Sequence, residues 1–487
     1  MSRDREAAVL VVGAGPAGSS VALRLARDGV PVTMLDARAF PRSKPCGDCL
    51  SPGATPLLEE LGVLGALDAS GAGQLSGWRI RTPSGRWFTG RFGRTPGGAT
   101  ARVPGIRDAH APPGPPPASG LSMPRRDLDA ALVRAAVEEG AALRERVRVF
   151  DLVRDGDRVA GVRARDRRGR EVSVGAEVVV GADGLRSVVA RRLAGVRRGP
   201  RPRLALVGRF AGVRAPDVPR TDPTPGSPRG PTPTPPDARR PTVSAGEATT
   251  AASDDGRDRR FRAPKGEMRL GEDGCLGLAP VGEGRWNATL VVPADRAGDI
   301  SRDRGAFFRR GLRTYGVAHR FRDARAVEGM EVTGPFRMGP RRRVAPGVLL
   351  AGDAAGYFDP LTGQGVFRAL ATGRAAARAV RDLLDAASEA ARAAARRRYA
   401  GDLRRLLAPG RRVQATLDFI CRHPALIEGA GALLRSRPAL ASLLVDVAGD
   451  RFPAAALLDP RRVVPALLPK GGSPSFDGRP RPRTRHV

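Results

Sequence analysis

Gly13, Gly15 and Gly18 lie between an apolar run, Ala7 to Val12, and a segment whose apolar residues have helical spacing. In the segment Gly13-Ala14-Gly15-Pro16-Ala17-Gly18, the first glycine permits a tight turn and the second lets the backbone approach a pyrophosphate. The third lets helix and strand pack closely. Asp36 ends the next apolar segment, where a carboxylate can accept hydrogen bonds from ribose hydroxyls and disfavours a 2′-phosphate. This pattern predicts a site for the ADP-ribose part of FAD or NAD.

A second group of candidate residues lies between positions 348 and 366. The apolar run Val348 to Leu350 leads to Asp353, whose carboxylate can hold a sugar-alcohol chain. Gly363 and Gly365 then leave backbone N–H groups exposed at the start of a segment rich in alanine and arginine. Such a helix start stabilises negative charge on the N1/C2 carbonyl side of a reduced isoalloxazine. Because a nicotinamide needs no such feature, this segment favours FAD.

The elements that must position these residues indicate an α/β protein. Residues 7–12, 177–180 and 348–350 and the segment after Gly29 read as buried strands of one parallel sheet. Residues 78–92 and 286–292 alternate in hydropathy, as antiparallel strands do. We therefore predict a Rossmann-like FAD-binding domain with a parallel sheet, an antiparallel-sheet substrate domain and a helical C-terminal region.

Composition shifts suggest the domain boundaries. The proline-rich insertion at 214–264 has too little apolar surface to offset the entropy of ordering it, so we expect it to be disordered. The predicted organisation is a FAD-binding domain of residues 1–75, 121–195 and 335–395, a substrate domain of 76–120 and 196–334, a helical region of 396–468 and a disordered tail of 469–487.

The formal charge of +33 resembles that of a nucleic-acid-binding protein, but the composition argues otherwise. Only Lys44, Lys265 and Lys470 are lysines, so nearly all of the 83 basic residues are arginines, in a chain rich in alanine, glycine and proline. We interpret this as coding bias first and polyanion binding second. Aromatic residues are 4% of the chain, which is poor for base stacking, and nucleic-acid binding is not expected.

The location of the protein is predicted from two further features. Four cysteines in 487 residues fit a reducing compartment, and no apolar targeting segment or membrane span is evident, so we expect a cytoplasmic protein. The arginines between positions 396 and 412 leave two interpretations open: a solvated helix face or a peripheral contact with anionic lipid.

A third motif, Gly181-Ala182-Asp183-Gly184-Leu185-Arg186-Ser187, again joins a strand to a helix. With the first two it resembles the flavoproteins that include para-hydroxybenzoate hydroxylase-like monooxygenases and geranylgeranyl reductases, over roughly residues 9–379. The resemblance implies that Asp183 and Gly184 lie where flavin and nicotinamide approach each other, that Asp353 binds the ribityl chain and that Gly365 and Val366 contact the flavin ring. It also implies roles for Arg125, with Arg126 as the alternative register, near the FAD phosphates, and for the Val149 backbone at the adenine.

The segment Lys44-Pro45-Cys46-Gly47-Asp48-Cys49 resembles the geranylgeranyl reductase branch, in which a Cys-Gly segment passes beside the flavin. So do Gly266-Glu267-Met268-Arg269, the stretch 277–281 and Asn287-Ala288-Thr289-Leu290. That resemblance places Cys46, Gly47 and Cys49 at FAD. The residues alone leave two other interpretations open, half of a zinc site or a dithiol redox pair.

Together these motifs predict an FAD-dependent oxidoreductase that reduces carbon-carbon double bonds of an isoprenoid-like or other hydrophobic substrate by hydride transfer from reduced flavin. The alternative is a monooxygenase acting through a flavin C4a-hydroperoxide. No second strand-GxGxxG-helix unit is found, so NAD(P)H would visit transiently or a protein would donate electrons. No side chain stands out as a proton donor. The predicted cofactor-binding residues are Gly13, Gly15, Ala17, Gly18, Asp36, Cys46, Gly47, Cys49, Arg125, Val149, Asp183, Gly184, Asp353, Pro360, Gly363, Gly365 and Val366.

Overall fold

A computed structural model describes residues 7–94, 119–216 and 264–468. Nearly all of the proline-rich insertion and the whole tail from 469 to 487 lie outside these ranges, so the disorder predicted for them is not addressed. Within the described ranges the helices are α1 (Pro16–Arg27), α2 (Thr55–Glu60), α3 (Leu64–Ala69), α4 (Arg125–Glu138), α5 (Val188–Ala194), α6 (Ala297–Arg302), α7 (Arg304–Thr314), α8 (Gly365–Leu384), α9 (Glu389–Cys421), α10 (Pro424–Ser436), α11 (Pro438–Ala448) and α12 (Pro460–Leu467).

The strands of the same ranges form two large and two small sheets. In chain order they are β1 (Ala7–Val12), β2 (Val32–Asp36), β3 (Cys49–Leu50), β4 (Gly73–Leu75), β5 (Gly77–Arg81), β6 (Trp87–Arg91), β7 (Gly120–Ser122), β8 (Ala142–Glu145), β9 (Arg148–Asp155), β10 (Arg158–Arg165), β11 (Glu171–Gly181), β12 (Val196–Arg198), β13 (Arg203–Ala211), β14 (Gly266–Leu270), β15 (Cys275–Pro280), β16 (Arg285–Pro293), β17 (Arg325–Ala326), β18 (Glu331–Thr333), β19 (Met338–Pro340), β20 (Val344–Ala345) and β21 (Val348–Leu350).

The first large sheet is parallel across β8, β2, β1, β11 and β21, with β20 antiparallel at its edge. Val12 pairs with both Leu35 and Gly181, so β1, β2 and β11 end at the same edge of the sheet. Helices α1 and α8 are in direct contact, since the Ser20 hydroxyl of α1 donates a hydrogen bond to the Leu370 carbonyl of α8. This arrangement confirms the Rossmann-like fold and collects the predicted loops at one edge.

The second large sheet follows the order β17-β13-β16-β15-β14-β5-β6, and only the β14–β5 pair is parallel. Residues of β13 alternate between its two faces, as side chains of a strand must. Leu204 and Leu206 pack with Phe307 and Phe308 of α7, whereas Ala205 and Val207 face the parallel-sheet side of the molecule. This confirms the predicted antiparallel sheet and provides the second wall of a cleft.

The C-terminal helices are packed against both sheets. Tyr399 of α9 donates a hydrogen bond to the Leu350 carbonyl at the end of β21. Helix α11 lies on β6 so closely that a Cβ added to Gly90 would come within 2.3 Å of Val445. The helices predicted for residues 396–468 therefore pack against both large sheets.

Candidate cofactor and substrate site

A cleft with about 870 Å³ of space, partly open to solvent, lies between the two large sheets. One wall comes from loops that follow β1, β11 and β21, and the other comes from β13 and β16. Of the predicted residues, those that line it are Gly15, Ala17, Cys46, Gly47, Arg125, Gly184, Asp353, Pro360, Gly365 and Val366.

Gly13, Gly15 and Gly18 differ in the space around their Cβ positions. A Cβ on Gly13 would lie 2.6 Å from the Ala182 carbonyl oxygen, and Gly13 has φ +96°. A Cβ on Gly18 would lie 1.9 Å from the Gly13 carbonyl oxygen. At Gly15, by contrast, the nearest atoms are guanidinium nitrogens at 3.7 Å or more. Gly13 and Gly18 therefore serve packing, while Gly15 leaves open space in which a ligand can meet the backbone.

Asp36 is buried at the end of β2 and ties the glycine loop to the next segment. Its Oδ2 accepts from the Ala14 N–H at 3.0 Å, and its Oδ1 accepts from the Arg38 N–H at 3.0 Å. Because Oδ1 has one partner, it keeps a lone pair for a ribose hydroxyl. Val149 is buried on β9, beside the Asp36–Val147 backbone contact rather than in the cleft lining.

Three cations converge beside the open space at Gly15. Arg125 makes a two-bond ion pair with Asp129, at 2.7 and 2.8 Å, and Arg42 reaches the same carboxylate at 3.1 Å. The Lys44 ammonium lies 3.3 Å from the Cβ position of Gly184, and burial, with Arg125 close by, lowers the pKa of Lys44. Such a group of cations fits a pyrophosphate.

Of these three basic residues, the sequence predicted only Arg125 as a cofactor-binding residue. Arg125 is buried and lines the cleft, whereas Arg126 is exposed. Arg42 and Lys44 were not predicted as binding residues, although a basic pair shortly after the predicted ribose acid was a signal that could have found them.

Asp183 has a structural function that the motif did not reveal. Its Oδ1 accepts from the Ser187 hydroxyl at 2.5 Å, and its Oδ2 accepts from the N–H groups of Val188 at 2.6 Å and Val189 at 3.2 Å. The carboxylate thus satisfies N–H groups at the start of α5. The neighbours Ala182 and Gly184, rather than Asp183 itself, line the cleft.

The segment after β21 provides the floor of the site. Asp353 lines the cleft, and Pro360, Gly365 and Val366 line both the cleft and a second cavity. Gly363 has φ +68° and no protein atom within 4 Å of its Cβ position, so it presents its backbone to open space before α8 begins at Gly365. This matches the helix start that the sequence predicted.

Asp48, inside the Cys-Gly-Asp-Cys segment, is the centre of a buried polar network. Its carboxylate binds Arg209 of β13 through two bonds, at 2.6 and 3.0 Å, and accepts from the Asn287 amide of β16 at 2.7 Å. The same amide donates to the Cys46 carbonyl at 2.7 Å. The network attaches this segment to the antiparallel sheet, and the sequence interpretation missed both Asp48 and Arg209.

The two cysteines of this segment lie in surroundings that favour the protonated thiol. Burial raises the pKa of Cys46, although Arg125 opposes this effect, and burial together with the charge of Asp48 raises the pKa of Cys49 well above its usual value. A thiol that reacts as a nucleophile needs the opposite shift. In the part of the chain that the structure describes, no group of three or more His, Cys, Asp or Glu residues could hold a metal ion. Cys46 lines the cleft, and both cysteines line the second cavity.

A second cavity, with about 720 Å³ of space, continues from the cleft. Among the described residues, those lining it include no Asp, Glu, Lys, Arg or His. Burial raises the pKa of Tyr357, which lines both spaces, well above its usual value, so its phenol keeps its proton at neutral pH. The remaining lining is largely apolar and includes Trp78, Met268, Leu278, Val291 and Leu361.

Comparison with known proteins agrees with this geometry. Residues 6–219 match the family described as FAD binding domain. The chain is 30% identical over 383 residues to a menaquinone reductase of Mycolicibacterium smegmatis, covering 76% of this chain and 75% of that protein. It belongs to the same family of FAD-dependent oxidoreductases as this menaquinone reductase.

A second relative and a solved structure are also similar to this flavoprotein. A digeranylgeranylglycerophospholipid reductase of Methanothrix thermoacetophila is 28% identical over 391 residues, which is 77% of each chain. The solved structure of a geranylgeranyl bacteriochlorophyll reductase-like protein of Thermoplasma acidophilum superposes with a TM-score of 0.60 at 18% identity, covering 95% of both chains. The latter likeness shows that the flavoprotein shares this fold.

Proposed function

We propose that this FAD-dependent oxidoreductase reduces carbon-carbon double bonds of a hydrophobic, isoprenoid-like substrate. The second cavity carries the proposal, because an uncharged, largely apolar space that shares Gly365 and Val366 with the cofactor cleft suits an alkene chain. Two relatives are named as reductases of menaquinone and of digeranylgeranylglycerophospholipid, which supports a lipid-like substrate.

The residues of the cleft would hold FAD as follows. The Gly15 backbone with Arg125 and Lys44 would bind the pyrophosphate, Asp36 the ribose and Asp353 the ribityl chain. The start of α8 would stabilise negative charge on the flavin ring. FAD bound there and reduced by two electrons would supply the hydride, and a proton from water would complete the addition of two hydrogen atoms across the double bond. The reductant would be NAD(P)H or a protein donor.

Anaerobic turnover is the test of the reaction type. Protein reconstituted with FAD and reduced with dithionite in an oxygen-free chamber is mixed with menaquinone that carries an unsaturated side chain. We expect oxidation of the flavin coupled to a product that keeps two added hydrogen atoms in its side chain after the quinone ring has been reoxidised in air, as located by fragmentation in mass spectrometry. A product that forms only when oxygen is admitted, and that contains an added oxygen atom, would instead identify the monooxygenase alternative.

Filling the second cavity should separate substrate binding from cofactor binding. Gly277 lines the cavity, and the nearest atom to its Cβ position is 3.9 Å away, so leucine fits but occupies substrate space. For Gly277→Leu we expect at least about a tenfold loss of kcat/KM, since roughly 1.4 kcal/mol of binding suffices for that, with unchanged FAD content. Gly329→Leu is the control, because no atom lies within 4 Å of that Cβ position. Equal kinetics for the two variants would place the substrate elsewhere.

A further inference from the structure

Helix α10 presents an unusual face to solvent. Surface helices normally expose polar and charged residues and bury an apolar stripe. On α10 the exposed positions include Ala425, Leu426, Gly429, Ala432 and Leu433, with Leu426 48% and Leu433 46% exposed. For about three turns this outer face of α10 contains no charged side chain.

The single carboxylate of α10 points the other way. Glu428 accepts hydrogen bonds from the Thr82 hydroxyl at 2.9 Å and from the Ser84 N–H at 2.8 Å, at the turn after β5. A Cβ on Gly431 would lie 2.5 Å from the Thr82 methyl, so the helix is pressed onto this turn. The orientation of α10 is therefore firmly set, with its apolar side outward.

Neighbouring residues extend the apolar face and surround it with cations. Phe419, at the end of α9, is 50% exposed, and its ring contacts that of His423 at 4.2 Å between centroids, tilted by 41°. Arg435 in the last turn of α10 and Arg437 just after it lie at one end of this face, and Arg422, which forms an ion pair with Asp418 at 3.2 Å, precedes the other end. Among the described residues, the large apolar side chains that are more than a third exposed lie mostly in the C-terminal helices, at Phe419, Leu426, Leu433, Leu458, Val464, Leu467 and Leu468.

The inner side of α10 reaches toward the second cavity. Ile427 is buried and belongs to the same apolar cluster as Met268, Leu361 and Tyr357. These three residues also line the second cavity. The outer face of α10 and the substrate space thus lie on opposite sides of one helix.

We propose that the outer face of α10, together with Phe419, docks on an anionic bilayer surface. The leucines and Phe419 would enter the boundary between headgroups and acyl chains, while the flanking arginines would meet lipid phosphates. No helix in the described part of the chain is long and apolar enough to cross a membrane, so contact would be with one leaflet. An anionic lipid surface fits the charges of this region, because arginines lie at the ends of an uncharged apolar strip.

This surface differs from the arginine-rich stretch at 396–412 that the sequence pointed to. There Arg396, Arg398 and Arg405 form ion pairs with Glu389, Asp382 and Asp402. Those pairs fit a solvated helix face, whereas α10 exposes an uncharged apolar strip. The proposal concerns binding and does not depend on which reaction the enzyme performs.

Vesicle binding of the FAD-loaded protein is the test. We expect sedimentation with phosphatidylcholine vesicles containing phosphatidylglycerol, weaker sedimentation with phosphatidylcholine alone, and loss of binding as salt is raised. The double variant Leu426→Glu/Leu433→Glu should bind at least about tenfold more weakly, since two half-exposed leucines no longer enter the lipid. Val137→Glu and Val327→Glu, at 44% and 45% exposure, are matched controls and should bind like the natural protein.

Three results would overturn the proposal. One is unchanged binding by the double variant at normal FAD content, which shows that it is folded. Another is equal binding to neutral and anionic vesicles. The third is a natural protein that does not bind vesicles and is dimeric in analytical ultracentrifugation, while the double variant is monomeric. The outer face of α10 would then join two copies of the chain.

Discussion

Gly15→Val is expected to yield a folded protein whose affinity for FAD is strongly reduced. The Cβ position of Gly15 meets only the ends of two arginine side chains, at 3.7 and 3.9 Å, so the side chain itself can be accommodated. It would, however, fill the space in which a pyrophosphate must approach the backbone N–H groups of α1. We expect the dissociation constant for FAD to rise by at least about a hundredfold, close to 2.7 kcal/mol.

The measurement is FAD titration followed by flavin fluorescence, with circular dichroism to confirm folding. Gly298→Val is the matched control, because no atom lies within 4 Å of its Cβ position and it is remote from the cleft lining. A yellow Gly15→Val protein with one FAD per chain would show that the dinucleotide does not cross this turn.

Asp48→Ala is expected to lower the free energy of unfolding strongly. It removes the carboxylate that binds both Arg209, whose side chain is 6% exposed, and the Asn287 amide, so that Arg209 keeps only Glu328, at 2.8 Å, as a charged partner and the amide keeps the Cys46 carbonyl. Removing one member of a buried ion pair typically costs 3–5 kcal/mol. Asp48 also has φ +55°, a conformation that aspartate tolerates better than alanine does. We expect the free energy of unfolding to fall by about 4 kcal/mol in urea titrations.

Two variants make this prediction specific. Glu171→Ala breaks exposed ion pairs with Arg163 and Arg165 and should change the unfolding free energy by less than about 1 kcal/mol. Asp48→Ala/Arg209→Met should be more stable than Asp48→Ala alone, because the buried guanidinium, which keeps only the partly exposed Glu328 as an ion-pair partner, is then removed. If Asp48→Ala were no more harmful than Glu171→Ala, the network would not hold the Cys-Gly segment in place.

Features that depend on neighbouring residues were determined by the sequence itself. The strand, turn, helix and second strand from Ala7 to Asp36 follow from hydrophobic period and glycine geometry within a short stretch. The same holds for the turn at Gly363 and the start of α8. Together these elements were enough to predict FAD, because the backbone geometry on which the prediction depends is set by residues that are close in sequence.

Features that join distant residues were decided only by the tertiary structure. Asp48 meets Arg209 and Asn287 across separations of 161 and 239 residues, which no local pattern encodes. Asp183 resembled a cleft residue, yet its carboxylate satisfies the start of α5. Likewise, the outward apolar face of α10 exists only because Glu428 is bonded to the turn after β5. Side-chain direction at such sites depends on which sheets and helices pack together, and that is a property of the whole fold.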